Sequence, residues 1–476
     1  MEYTRSQVNL LSRLDRVPVT KTVIQIIILL SFVWLAEAFD IGIVGPVLST
    51  LEKTWTLTSW QIGLLAVAST LGVVIGMIPS GLMADKFGRR KVVLFGILFF
   101  SVLTILGAFV SNFVTLFGIR FLAGVGEGAV LPMPYLFLSE FVRSRKRAVS
   151  VGYSNGILTA AYVIPNLASL WALHAFAPSF AWRVPFLLGG IPLLLLIPLY
   201  LWLPESPRYL LKTGRTHIVQ KLVERLEVEA GLDHDTTLVD YRLGVALKQT
   251  QARPKATIKS MLHKPFFGRS IIVILQLTAA LILFYILQVF GPSLLLNRGA
   301  GVGSSILFSG LMMLVAGVGS IVQGHLSDRF GRKTMLGVYV GFAALGCFLF
   351  AWATLPAVVF LAGFLTAFFG LGIFPVSKLC VAEQYPTELR GKGVYFGEMT
   401  ARTISGIVTT SCIPFILQAY GNQVIFLGVA IALIVLSLPF LVFGRETANV
   451  QMEQAGSRVP LRVLKPELGA SRVSNQ

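Results

Sequence analysis

Charged residues are few in this chain of 476: 13% are Asp, Glu, Lys or Arg, while 55% are hydrophobic. With a mean hydropathy of +0.76, that scarcity excludes a water-soluble globular chain, whose surface needs about twice the share of charge. Acids are scarcest, 22 against 40 Lys and Arg, so every acid inside an apolar run asks for a reason. Histidine occurs five times and cysteine three times. His217, His234 and His263 fall in one polar segment and His325 in a loop, with no metal-ligand spacing. Cys347, Cys380 and Cys412 lie singly in apolar runs and read as small buried hydrophobes, so neither a metal site nor a disulfide is expected. No nucleophile, base and oxyanion constellation and no phosphate loop is present. GVGEG at Gly124 lies inside an apolar run, where small residues let helices pack closely. The chain is expected not to be an enzyme and to need no cofactor.

What is abundant is long apolar sequence. A hydrocarbon core of about 30 Å asks for about 20 helical residues per crossing. Twelve runs fit, near 22–48, 59–83, 92–111, 113–139, 148–174, 184–203, 269–296, 303–327, 334–353, 356–382, 393–419 and 423–443. The expectation is an all-α polytopic membrane protein whose first partner is the lipid bilayer. The excess of basic residues invites a nucleic-acid reading, but they cluster in short loops (DKFGRRK, RSRKR, DRFGRK, ELRGK) without a basic face interleaved with aromatics. Those loops fall on one side with both termini, which predicts cytoplasmic termini. No apolar segment with a small-residue cleavage site precedes the first run, so that run is expected to stay.

The chain also repeats itself. Asp85, Gly88 and Arg89 recur as Asp328, Gly331 and Arg332, and Glu140 recurs as Glu383, all at an offset of 243. One offset at four landmarks predicts two homologous six-span halves with a binding site at midplane between them. The expected organisation is a tail at 1–21, a half at 22–203, a polar linker with short helices at 204–268, a half at 269–443 and a tail at 444–476. Within the linker, 209–230 has helical periodicity and mixed charge, as expected of an interdomain helix.

GLMADKFGRR, its copy GHLSDRFGRK and PESPR at Pro204–Arg208 resemble the signatures of the major facilitator superfamily. The similarity covers nearly the whole chain. AFDIGIVGP, GIRFLAGVGEGAVLP and GIFPVSKLCVAEQYP are similar to the first, fourth and tenth spans of its sugar-porter and organic-ion branches. The overall pattern also resembles its aromatic-acid and nicotinate-type metabolite:proton symporters. The resemblance implies a secondary transporter of the bacterial inner membrane working by alternating access; a monomer is the expectation, though no residue pattern specifies it. Its loops imply a cytoplasmic gating network of Asp85, Arg89, Arg90, Glu140, Glu205, Arg208, Asp328, Arg332, Glu383 and Arg390. In it Arg89 or Arg90 pairs with Glu140 and Arg332 with Glu383, holding the halves together on the inside. The competing reading, that basic loops only fix topology, leaves the repeated Asp and Gly unexplained.

The resemblance also maps a proton-coupling pair onto Asp40 and Arg120. A guanidinium beside a buried carboxylate favours its charged form, so making and breaking the contact switches proton affinity. Glu37, three residues before Asp40, is expected to face nearly the same way and join it. Departures from the sugar-porter pattern matter as much. Gln276 and Tyr285 are kept in the seventh run, but the Asn that would bind sugar hydroxyls is lost, and Lys378 stands where a ring-stacking Trp is expected. Lys378 either is neutralised by Glu37 and Glu127 or awaits a substrate anion together with Arg402. The alternative is that Glu398 and Arg402, four apart, neutralise one another. The reading that combines these features is proton-coupled symport of a small organic acid, an aromatic or related carboxylate. The alternatives are an organic cation or other metabolite, carried by antiport or facilitated diffusion, sugar:proton symport, and a receptor that binds without flux.

Overall fold

The computed structural model describes residues 4–141, 147–234, 266–296, 298–374, 376–378, 384–385 and 387–446. Among these, no strand occurs, and eleven helical runs are long and apolar enough to cross a membrane. The last, Phe396–Phe443, would span about 70 Å as one helix, more than twice a bilayer core. It breaks at Gly421, whose φ of 73° and ψ of −175° turn the chain back. Twelve crossings therefore result, numbered below as spans 1 to 12.

The breaks within spans have local causes. Span 1 is two helices, Lys21–Gly42 and Val44–Thr54. Pro46 lacks the N–H that would bond the Gly42 carbonyl, and Gln288 Nε2 of span 7 (Phe267–Leu296) reaches that carbonyl at 3.4 Å instead. Span 10 contains a π-helical stretch at Thr366–Leu371 and span 11 another at Thr403–Thr409, directly after Arg402. Such bulges re-aim side chains and concentrate at functional sites.

The signature glycines end spans 2 and 8. Ser59–Phe87 stops at Gly88 and Val302–Phe330 stops at Gly331, both with φ of 96°. That conformation is costly for any residue with a Cβ, which explains the Gly repeated 243 residues on. Spans 3 (Arg89–Gly107) and 9 (Arg332–Trp352) start immediately after them.

Residues 1–21, expected as a tail, include a helix at Arg5–Arg16. It opens with a capping box between Thr4 and Gln7. Leu10, Leu11, Leu14 and Val17 pack in one core with Leu211, Val219, Val223 and Leu226 of the linker. Arg13 grips the buried Glu227 through two bonds of 2.9 and 2.6 Å, and Glu229 accepts from Thr22. The linker helix Thr216–Ala230 is thereby tied to the base of span 1. Large apolar side chains such as Phe109, Val114, Ile197 and Leu438 face outward, as helices in lipid require.

On the side away from the signature loops the halves meet through Glu52 and Ser293 (3.1 Å) and Ser59 and Gln418 (2.7 Å). On the loop side Tyr153 of span 5 packs edge-on against His325 of span 8, ring centroids 5.5 Å apart.

Candidate functional site

Two buried charge clusters occupy the middle of the bundle. In the first, Asp40 of span 1 is fully buried and takes Arg120 Nη1 of span 4 (Phe113–Val130) on Oδ2 at 2.9 Å. Arg120 Nη2 also donates to the Asp40 backbone carbonyl at 3.1 Å, and Thr104 of span 3 donates to Oδ1. The guanidinium carbon lies 5.8 Å from the centre of the Phe186 ring. The expected pair is present. Glu127, expected to face substrate, lies within hydrogen-bonding reach of the Asp40 carboxyl. It is 0% exposed, and neither of its oxygens has a donor among the described residues.

The second cluster lines a cavity between the halves, with about 500 Å³ of empty space including its mouth. Trp34, Tyr162, Phe284 and Phe374 supply aromatic walls, while Glu37, Lys378 and Arg402 supply charge. Glu398 Oε1 holds Arg402 Nη2 at 3.0 Å and Lys378 Nζ at 3.6 Å. Arg402 Nη1 donates to the Tyr285 hydroxyl at 3.1 Å. Glu398 and Arg402 thus do pair, but Lys378 shares the same carboxylate. The cavity runs from Glu37 and Arg402 at mid-span to Leu131, Asn155 and Lys378 toward the signature-loop side.

The structure redistributes the expected residues. Glu37 lines the cavity rather than joining Asp40, because three helical residues turn the second acid by about 60° and raise it about 4.5 Å. Glu127 moves the other way, into the Asp40 cluster. Gln276 is off the cavity and bonds Ser377 Oγ at 3.3 Å. Nine residues separate it from Tyr285, which puts the two on opposite faces of span 7.

In the signature loops the expected ion pair with Glu140 is present, but it lies within one half. Arg89 pairs with Glu140, whose other oxygen accepts from Ser206 Oγ at 2.6 Å. Arg90 turns instead to the Tyr200 carbonyl and lies over the Tyr200 ring. Glu205 accepts from the backbone N–H groups of Arg89 (2.9 Å) and Arg90 (3.1 Å), capping span 3. All these residues belong to one half, so these pairs brace that half and do not hold the two halves together. Arg208 is exposed and makes no ion pair among the described residues. Glu383, and the side chains of Asp85, Asp328 and Arg390, lie outside what is described. Arg332 is nevertheless anchored, by a residue that sequence reasoning missed. Glu446 accepts from the backbone N–H groups of Arg332 (3.0 Å) and Lys333 (2.9 Å), as Glu205 does in the first half. An acid just past the last span of each half, PESPR and GRETA, was the available signal.

The sequence profile of the Major Facilitator Superfamily matches residues 30–409 and, in a second placement, 299–471. The niacin transporter NiaP of Acinetobacter baylyi is 27% identical over 449 residues, 94% of this chain and 100% of that one. The benzoate transport protein of the same organism is 27% identical over 404 residues, 82% of this chain and 83% of that one. Among solved structures, the proton:xylose symporter XylE from E. coli, bound to 6-bromo-6-deoxy-D-glucose, matches with a TM-score of 0.74 at 18% identity. That match covers 91% of this chain and 98% of XylE, and it is a likeness of fold.

Proposed function

The chain belongs to the Major Facilitator Superfamily, and from that premise we propose that it carries a small organic acid, an aromatic or related carboxylate, together with protons by alternating access. The observation that carries this reading is the pair of cations, Lys378 and Arg402, held by one carboxylate, Glu398, at the wall of an aromatic-lined cavity. A carboxylate entering there meets a guanidinium and an ammonium, and its apolar body meets rings. The names of the niacin and benzoate relatives point to the same class of solute.

Charge bookkeeping links the solute to protons. Lys378 and Arg402 balance Glu398 and Glu37, so an entering anion adds one uncompensated negative charge to a low-dielectric site. Protonation of Glu37 removes it. The Asp40–Arg120 cluster supplies a further buried proton site two turns of helix or less from the cavity wall. The basic loops support cytoplasmic termini in a bacterial inner membrane.

The test is solute-evoked pH change inside proteoliposomes carrying a trapped pH dye, with panels of aromatic carboxylates, amines and sugars. Acidification by carboxylates alone, weakened in Lys378→Ala, is the expected outcome. Glu37, whose Oε2 has no partner among the described residues, favours a second reading in which an organic cation is carried. Amine-evoked signals that survive Lys378→Ala would establish that reading instead.

A further inference from the structure

We infer that the coupling proton of the buried span 1–span 4 cluster resides on Glu127, as an O–H shared with the Asp40 carboxylate, and not on Asp40. The inference rests on the proton-symport reading above and gives that coupling an atom.

The two acids are satisfied in opposite ways. Asp40 has the surroundings of an ionised carboxylate, with Arg120 Nη1 on one oxygen, Thr104 Oγ1 on the other, and Arg120 Nη2 on its own backbone carbonyl. An ionised carboxyl only accepts, and here both oxygens receive donors. Glu127 has no donor on either oxygen among the described residues although it is completely buried. A charged carboxylate in that position would be an unpaired anion beside a second anion. A neutral carboxyl reverses the geometry: its O–H donates to Asp40, which then holds three donors.

Charge counting agrees. The charged and titratable groups acting on Glu127 are Asp40 and Glu37 from span 1, Arg120 from its own span and Tyr162 from span 5, while Thr104 of span 3 donates to Asp40. Within the cluster Arg120 is the one cation, and Asp40 already neutralises it. Two carboxyls sharing one guanidinium hold one proton between them, and the acid without donors is the one that keeps it. Burial of this cluster therefore requires a proton on Glu127. Release follows when rearrangement of span 4 against span 1 admits water, and the proton passes from the Glu127 oxygen to that water.

Infrared difference spectroscopy of the full-length protein in lipid, stepped between neutral and alkaline pH without substrate, reads protonated carboxyls directly. Wild type is expected to show a buried carboxylic C=O band at neutral pH that disappears in Glu127→Gln and persists in Glu37→Gln. A band that survives Glu127→Gln, or no such band in wild type, overturns the inference. Should Glu127→Gln fold poorly, Glu127→Asp serves: the band is expected to shift rather than vanish, and an unmoved band overturns the inference. In proteoliposomes with benzoate as probe, the ratio of accumulation with and without an inward proton gradient is expected to fall to about one in Glu127→Gln. Wild type that accumulates neither benzoate nor nicotinate overturns the symport reading, while the spectroscopic result still decides where the proton resides.

Discussion

Glu37 and Asp40 lie one helical turn apart on span 1, yet Asp40 is locked to Arg120 at 2.9 Å while Glu37 opens onto the cavity that Lys378 and Arg402 also line. One short stretch of helix thus serves two charge clusters, and substitutions at the two acids should have different effects.

At Asp40 the neighbouring acid is a reserve. Asp40→Asn removes the partner of a buried guanidinium, a change that ordinarily costs about 3–5 kcal/mol. Glu127 can ionise and take over much of that role, so the single variant should lose far less. The double variant Asp40→Asn/Glu127→Gln should lose the full amount. Apparent melting temperatures of the two singles and the double form a cycle, and additive losses would contradict the coupling.

Lys378→Ala should raise the KM for an aromatic carboxylate about 10- to 100-fold, the loss of a charge-assisted hydrogen bond worth about 1.5–3 kcal/mol. Concentration-dependent uptake of benzoate and nicotinate measures it. Lys378→Arg, which keeps the charge with a different fork, should fall between.

At the loops, Gly88→Ala and Gly331→Ala each force a Cβ into a φ of 96°, at about 1–2 kcal/mol. The Cβ at Gly88 also meets the Glu205 carboxylate, and the one at Gly331 comes within 3.0 Å of Glu446 Oε2. Both should lower the melting temperature, and Gly88→Ala should do so more.

Glu446→Gln should resemble Glu205→Gln. Each weakens the carboxylate cap on a span that starts with a run of basic residues, at about 0.5–2 kcal/mol. If only the Glu205 variant has an effect, the correspondence between the halves is geometric and without consequence for stability.

The amino-terminal helix carries a pH prediction. Burial raises the Glu227 carboxyl, but the bonds from Arg13 and His234 outweigh it and hold the group below its ordinary value. A depressed acid stabilises above its unfolded pKa, about 4.3, and that contribution fades as pH falls through the lower folded value. Protection of the Arg5–Arg16 amides from hydrogen exchange, relative to the intrinsic rate at each pH, should therefore stay high at neutral pH and fall only below about pH 4. Arg13→Ala should lower that protection at neutral pH.

Sequence alone determined the membrane class and the two-half repeat, because hydropathy and a constant offset need no coordinates. It also marked Gly88 and Gly331, whose repetition reflects a backbone angle. The Asp40–Arg120 pair came from resemblance to the family's first and fourth spans, and the structure shows the contact. Direction around a helix was harder to read. A turn of about 60° sent Glu37 away from Asp40, a half-turn sent Gln276 away from Tyr285, and Glu127, also expected among the substrate-facing residues, sits with Asp40 and Arg120 on the stripe it shares with Arg120. Glu446 was hidden for a related reason: its acceptors' role is defined by two backbone N–H groups 114 and 113 residues earlier in the chain. Which charges share a cluster is set by how the spans are rotated and packed, because Coulomb and hydrogen-bond energies depend on distances of a few ångströms that only the tertiary arrangement fixes.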